Sequence, residues 1–475
     1  MSPDNDIDDM RRVFSAQRAA ARADRLVTSA VRVDRLRRAV ELLVDNEAAL
    51  CAALNEDFGH RSVTASRMSD IVPPIRALKH AITNIERWLA DEPRAIGEAY
   101  VKAGANGIVR YQPKGVVGNI LPWNAPLNVG FSSLAGMFAA GNRIIIKPSE
   151  FAPATALKMQ ELVSRYFDPT ELAVVTGGVD LGRAFAALPF DHILYTGSPA
   201  VGRHILAAAA ANLTPVTLEL GGKCPVIIGR SADVELATDR VVMGKMINAG
   251  QVCLAPDYVL APRDREAEIV AGLLRNAELT YPRSEDNDDY TAIINEPHRH
   301  RIDSLLIDAR EKGADIVLAH GDSETENHLK RRLTIVRNAS PNMRVMQEEL
   351  FGPILPILTY GHIEEAIQHV NENANPLALY YFGSDPSEED QVLRATLSGG
   401  VTINDVIAHV SHEELPFGGV GNSGTGAYHG FDGFKTFSHA RSIYRQSNLD
   451  LAGMSGGRAP FGAKIEATLA AAIRK

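Results

Sequence analysis

Between residues 7 and 89, apolar side chains recur at close to the helical period. Leu36, Val40, Leu43, Val44, Leu50 and Leu54 fall on this repeat with charged residues between them, which predicts helices. Pro73-Pro74 opens a further helix that carries Ile75, Leu78, Ile82, Ile85 and Leu89 on one side. Residues 99–102 and 108–112 read as β-like runs around Asn106-Gly107, a hairpin signal with a loop lengthened by Ala103-Gly104-Ala105. From Gly115 the pattern changes to alternating strand and helix. Strands are expected at 116–121, 143–147, 172–176, 192–196 and 216–219, with an apolar helix at 127–140 and another starting near Pro153. A second alternating block begins at 225–228 and includes 258–260, 315–319, 353–358, 377–382 and 401–404. Short, fully apolar strands with helices between them predict a parallel sheet covered on both faces. Residues 286–289 read as a solvated acidic turn, and beyond Phe417 the chain is glycine-rich and aromatic with little periodicity. No internal repeat is visible. The stretch 464–475 is weakly amphipathic and is expected to pack on the body or fray.

Composition narrows the function classes. A chain of 475 residues implies two or three domains. A net charge of −9 argues against a nucleic-acid partner. Only Cys51, Cys224 and Cys253 occur, far apart and odd in number, so a disulfide framework is not expected and a reducing compartment fits. No His/Cys cluster has metal-ligand spacing, so no metal is expected. The acidic start Met1-Ser2-Pro3-Asp4-Asn5-Asp6 lacks the apolar core of a signal peptide, and no run is long enough to span a bilayer. The expectation is a cytoplasmic protein with no membrane partner.

Several segments carry candidate chemistry. Cys253 lies in Asn248-Ala249-Gly250-Gln251-Val252-Cys253-Leu254-Ala255-Pro256, downstream of Leu218-Glu219-Leu220-Gly221-Gly222-Lys223. A lone thiol in a glycine-bounded segment, with a carboxylate on an earlier strand end, is the layout of covalent catalysis. The bland alternative is a buried small hydrophobe. Gly197-Ser198-Pro199-Ala200-Val201-Gly202 follows a strand and opens a helix, where free N–H groups can meet an anion; a tight strand-to-helix turn explains it equally well. Ile146-Lys147-Pro148-Ser149-Glu150 ends a second strand, and Lys147 and Glu150 would reach the strand ends where open α/β sheets bind ligands. Gln347-Glu348-Glu349-Leu350-Phe351-Gly352-Pro353 adds an acid and an aromatic. Asn124, in Leu121-Pro122-Trp123-Asn124, could donate to an oxyanion or simply cap a helix.

Taken together, these segments resemble the aldehyde dehydrogenase superfamily from the N-terminal helices to about Arg441. Within it the chain looks like the class-3 branch, closest to the bacterial coniferyl aldehyde dehydrogenase group. Ala292-Ile293-Ile294-Asn295-Glu296, Leu415-Pro416-Phe417-Gly418-Gly419-Val420-Gly421 and Ser423-Gly424-Thr425-Gly426-Ala427-Tyr428-His429-Gly430 carry that narrower likeness. The resemblance implies an α/β fold: a Rossmann-like parallel-sheet NAD-binding domain (1–98 and 114–220) and a second α/β catalytic domain (221–415). It adds a small β oligomerisation element (99–113 and 416–445) and a tail (446–475). It also implies roles. Cys253 attacks the aldehyde as nucleophile, Asn124 and the Cys253 N–H hold the oxyanion, and Glu219 activates water against the thioester. Lys147 and Glu150 bind the adenosine ribose, Gly197, Ser198 and Gly202 lie by the pyrophosphate, Glu349 binds the nicotinamide ribose, and Phe351 and Trp123 pack nearby. NAD is the implied cofactor, with NADP use possible, and a homodimer the implied assembly.

Three positions depart from the family pattern. Val252 stands where relatives often carry a polar residue, Ala125 where they often carry a large aromatic, and Cys224 where Ser is common; Cys224 reads as structural. An acylating, coenzyme A-dependent dehydrogenase is a competing reading, against which Glu219 counts. A non-catalytic protein reusing the fold is another, against which Cys253, Glu219 and Asn124 count.

Overall fold

The computed structural model describes residues 3–319 and 329–474. Helices Ser29–Asp45, Glu47–Phe58 and Val72–Leu89 occupy the N-terminal region as its periodicity implies. A six-stranded sheet follows, in the order Gly424–Thr425, Val216–Leu220, His192–Gly197, Val116–Ile120, Arg143–Lys147, Leu172–Val174. All pairings in it are parallel except that of Gly424–Thr425, which runs antiparallel to Val216–Leu220. Successive residues of a strand face opposite sides. Ile144 and Ile146 therefore pack with Phe131, Leu134 and Phe138, while Ile145 joins Met10, Phe14, Phe185 and Phe190 on the other face. Burial on both faces is why these strands are apolar throughout.

The second sheet has seven strands: Asp315–Leu318, Thr334–Arg337, Ile354–Tyr360, Tyr258–Pro262, Pro225–Ile228, Ala378–Phe382 and Gly400–Ile403. It too is parallel, apart from the antiparallel edge strand Asp315–Leu318. The third sheet has three antiparallel strands, Glu92–Arg94, Asn106–Pro113 and Ser438–Arg445. The fold is α/β, with two parallel sheets and a small β element.

Three expectations need correction. Residues 99–102 are not a strand: Glu98–Lys102 is a short helix, and Asn106–Pro113 pairs instead with Glu92–Arg94 and Ser438–Arg445. Tyr100 and Val101 are exposed, so no buried face rewards an extended form, and Glu98 pairs with Lys102 one helical turn on, at 2.6 Å. The aperiodic stretch beyond Phe417 contains two strands, Gly424–Thr425 and the eight-residue Ser438–Arg445. The C-terminal helix Ala463–Ile473 buries none of its residues, so it does not pack on the body; Lys475, like Met1 and Ser2, lies outside the described residues. Among the described residues, no helix is long and apolar enough to cross a membrane.

Candidate active site

Parallel pairing brings the C-terminal ends of four adjacent strands into one row. Lys147 ends one strand beside Ile120, and Glu219 lies level with Thr196 just before Gly197. Asn124 follows the strand Val116–Ile120 and precedes the helix Pro126–Ala140. Open α/β sheets bind ligands along such an edge.

Cys253 comes from a different element. The helix Val234–Met246 ends in a tight turn in which Asn248 (φ 50), Ala249 (φ 54) and Gly250 (φ 74) are successively left-handed. Such a conformation costs a non-glycine residue about 1–2 kcal/mol, so neighbours must hold it. The Asn248 side-chain amide donates to the carbonyls of Asn124 and Gln251, both at 3.1 Å. Gln251 is fully buried; its amide donates to the Asn248 (2.9 Å) and Ala292 (3.0 Å) carbonyls, and its oxygen accepts from the Ile294 N–H at 3.0 Å. A side chain at Gly250 would collide with the Gly352 carbonyl, so glycine there lets the thiol loop meet the Glu349–Phe351 loop.

Cys253 as a residue is partly exposed. Burial, then the nearby Glu349 and Glu219 carboxyls, push its pKa up to about 12, against the pull of the Cys253 and Leu254 backbone N–H groups. Behind it, the Cys224 thiol donates to the Cys253 carbonyl at 3.4 Å. Asn124 is buried, and its amide donates to the Gln251 carbonyl at 3.0 Å. That nitrogen carries two hydrogens, so a second donor is left beyond the one given to Gln251.

Glu219 is 3% exposed, and both carboxyl oxygens lack a hydrogen-bond partner. Desolvation alone raises its pKa well above the ordinary value. Glu349 retains some exposure, but its Oε1 is sealed and unpartnered. Its carboxyl lies against Gly221, where any side chain would displace it. Desolvation, then Asp257, raise its pKa to about 8, although the Gly222 N–H and two cations oppose this. The backbone around Glu349 is gripped from two sides. Lys223 donates to the Val345 (2.8 Å) and Glu348 (3.0 Å) carbonyls and pairs with Asp257, which accepts the Leu350 N–H at 2.9 Å. Arg301 donates to the carbonyls of Glu349 and, at 2.8 Å, Leu350.

Further along the edge, Lys147 is buried and pairs with Glu150 at 2.9 Å. Burial works against the Glu150 carboxylate, but the bond and charge of Lys147 together with its own backbone N–H outweigh this and its pKa is lowered. Gly197 ends its strand, and the Ser198 hydroxyl caps the helix Pro199–Ala210, which has Gly202 in its first turn, by accepting the Val201 N–H. Trp123 meets Phe351 edge-on at 5.3 Å and His298 at 4.9 Å. Phe351 adopts a left-handed φ of 47°.

Sequence reading missed His298, Tyr428, and the buried pair Arg61–Asp70. Tyr428 is buried with its phenol within electrostatic reach of Glu219 and Cys253. Asp70 accepts the Leu127 (3.1 Å) and Asn128 (3.2 Å) N–H groups at the start of the helix that follows Asn124, and takes Arg61 on its other oxygen at 2.7 Å. The run Ser69-Asp70-Ile71 contains no local signal for this, because its partners lie 57 and 58 residues away. Among the described residues no group of acidic, His and Cys side chains is arranged to hold a metal.

Residues 2–443 match the Aldehyde dehydrogenase family. The chain belongs to that family. It is an enzyme of aldehyde oxidation, and it is 46% identical to a probable coniferyl aldehyde dehydrogenase of Caulobacter vibrioides across 98% of this chain and 97% of that one. A substrate-bound structure of Staphylococcus aureus AldH superposes with a TM-score of 0.91, at 32% identity over 97% of this chain and 99% of the other. The P. syringae indole-3-acetaldehyde dehydrogenase AldA, in complex with NAD+, superposes with a TM-score of 0.84, at 26% identity over 93% and 89%.

Proposed function

We propose that this family member oxidises a coniferyl-type aromatic, unsaturated or medium-chain aldehyde to the carboxylic acid, with NAD as acceptor and Cys253 as nucleophile. The observation that carries the reading is the buried, unpartnered Glu219 carboxyl within electrostatic reach of the Cys253 thiol. The Cys253 sulfur adds to the carbonyl carbon as its S–H proton passes to water. The resulting oxyanion is held by the free Asn124 amide hydrogen and the Cys253 N–H. A bound nicotinamide would supply the acceptor for the hydride that leaves this carbon. A thioester remains on Cys253. Glu219 then draws a proton from water as the oxygen adds to the thioester carbon, and the C–S bond breaks to release the acid. A desolvated carboxylate is a stronger base than a solvated one, which suits this step. An acylating enzyme that hands its thioester to coenzyme A has no use for that base.

The chain's residues fit a nicotinamide dinucleotide. Lys147 and Glu150 would hold the adenosine ribose, Gly197, Ser198 and Gly202 would border the pyrophosphate, and Glu349, with its unpartnered Oε1, would take the nicotinamide ribose beside Phe351 and Trp123. In this reading 1–98 and 114–220 form the cofactor domain and 221–415 the catalytic domain. Glu150 would accept from a ribose 2′-OH and repel a 2′-phosphate, while Lys147 blunts the repulsion; NAD is therefore preferred and NADP tolerated. Ala125 widens the approach to Asn124.

The test is kcat/KM for acetaldehyde, hexanal, benzaldehyde and coniferyl aldehyde with each cofactor. Each buried methylene contributes about 0.8 kcal/mol, so the larger aldehydes should lead by several-fold or more, and Ala125→Phe should depress the bulkiest first. Acetaldehyde as the best substrate, or a clear preference for NADP, would overturn this part of the reading.

A further inference from the structure

The strands of the first sheet begin, at Val116, Arg143 and His192, at the end of the sheet opposite Asn124, Lys147 and Glu219. A cleft of about 680 Å³ opens there. Six cations line it: Arg18 and Arg22 from the helix Pro3–Ala23, Arg25 from the segment after it, Lys114 just before the strand Val116–Ile120, Arg143 at the start of its own strand, and Arg441 from the third sheet. Only two carboxylates, Asp24 and Asp191, face them. Asp191 already accepts the Val116 N–H at 2.7 Å, and Asp24, itself half in solvent, pairs with Arg143 at 3.7 Å. This surplus of positive charge stands out in a chain whose net charge is −9.

The closest partners of the cations on the cleft floor are neutral groups. Arg143 is buried and donates to the Thr170 carbonyl at 2.7 Å. Lys114, half-buried, donates to the Thr436 carbonyl at 2.6 Å and lies 2.9 Å from His192 Nδ1. Just behind Gly141, Arg32 is buried against the carbonyls of Val27 (3.0 Å) and Ala139 (2.6 Å). Desolvation lowers the pKa of all three, to about 10 for Arg32. A buried charge without a counter-charge is costly, and cations in folded proteins are ordinarily paired when buried. At the rim, Arg22 and Arg25 are exposed and have no carboxylate within ion-pair distance among the described residues.

We propose that this cleft binds a small oligophosphate, free or carried on a small organic group. Guanidinium forks match pairs of phosphate oxygens, and the cleft is larger than one phosphate requires. Such a ligand would supply a counter-charge to Lys114, and a second one to Arg143 beside the exposed Asp24, while Arg22, Arg25 and Arg441 close on it. It would sit against the roots of the strands whose other ends carry the candidate active site.

The test is isothermal titration calorimetry of the full chain with inorganic tripolyphosphate, without NAD and with saturating NAD, followed by ATP with saturating NAD. One saturable site per chain is expected, with affinity unchanged by NAD. Tighter binding of ATP would assign an organic phosphate, and equal binding a free one. The double variant Arg22→Glu/Arg25→Glu, at exposed positions, should weaken binding by about tenfold or more. Arg441→Gln, on a different element, should weaken it in the same direction. Absence of saturable heat, displacement by NAD, or unchanged affinity in both variants would overturn the proposal.

Discussion

At Cys253 and Glu219 the environment works against charge. Each acid is desolvated, and each carboxyl near the thiol makes its ionisation harder. The folded-state pKa of Glu219 lies above its unfolded value, so the folded protein holds a proton that the unfolded chain releases. Stability is therefore untouched by this group below the unfolded carboxylate pKa. It declines as pH rises from there toward the folded value. Glu219→Gln removes the ionisation and keeps the shape. It should raise Tm by about 1–3 °C at pH 8 and change it little near pH 4. A thermal-melt series across that range checks this, and a variant less stable at pH 8 would contradict it. The candidate residues were legible because covalent chemistry needs a thiol and a base in recognisable surroundings. The strained turn Asn248-Ala249-Gly250 was legible only in its glycine, since Asn248 and Ala249 adopt left-handed φ through tertiary bonds.

At the scale of elements, the helix Pro126–Ala140 is held at its start by a carboxylate from another part of the chain. Asp70 sits in the π-helical turn Arg67–Ile71 and is fully buried with Arg61. Removing one partner of a buried ion pair strands the other and costs about 3–5 kcal/mol. Asp70→Ala should therefore lower unfolding free energy by about that much. Because the anchored backbone follows Asn124, the variant should also lose more in kcat than in NAD affinity. Asp70→Asn, which keeps one acceptor for the Leu127 and Asn128 N–H groups, should recover part of both. Urea unfolding with single-turnover kinetics measures this; an unchanged denaturation midpoint would sink it. The helix itself was readable from its apolar run, whereas its anchor was not, because no local pattern reports a contact nearly sixty residues away.

At the scale of the whole molecule, the third sheet ends in an edge that no strand among the described residues pairs. Ser438–Arg445 pairs with Asn106–Pro113 on one side only, and among its residues only Ser438 is buried. A long free edge is ordinarily covered, and we propose that a second copy of the chain covers it in a homodimer. Light scattering at micromolar concentration should give twice the mass of the 475-residue chain, and a monomer would contradict this. The two parallel sheets could be read from sequence because strands buried on both faces must be apolar. Ser438–Arg445 could not. With most of its side chains in solvent it has no alternation to detect, and its ladder is made with residues more than 300 positions earlier.

The central claim is that Cys253 carries the acyl group and Glu219 releases it. Mixing Glu219→Gln protein with NAD and benzaldehyde, then weighing the intact and digested protein, tests it most directly. The account predicts about one reduced cofactor per chain in a burst, followed by a stall, with a benzoyl mass on the peptide containing Cys253 and none after Cys253→Ala. Wild-type turnover without an adduct, or an adduct on Cys51 or Cys224, would contradict it.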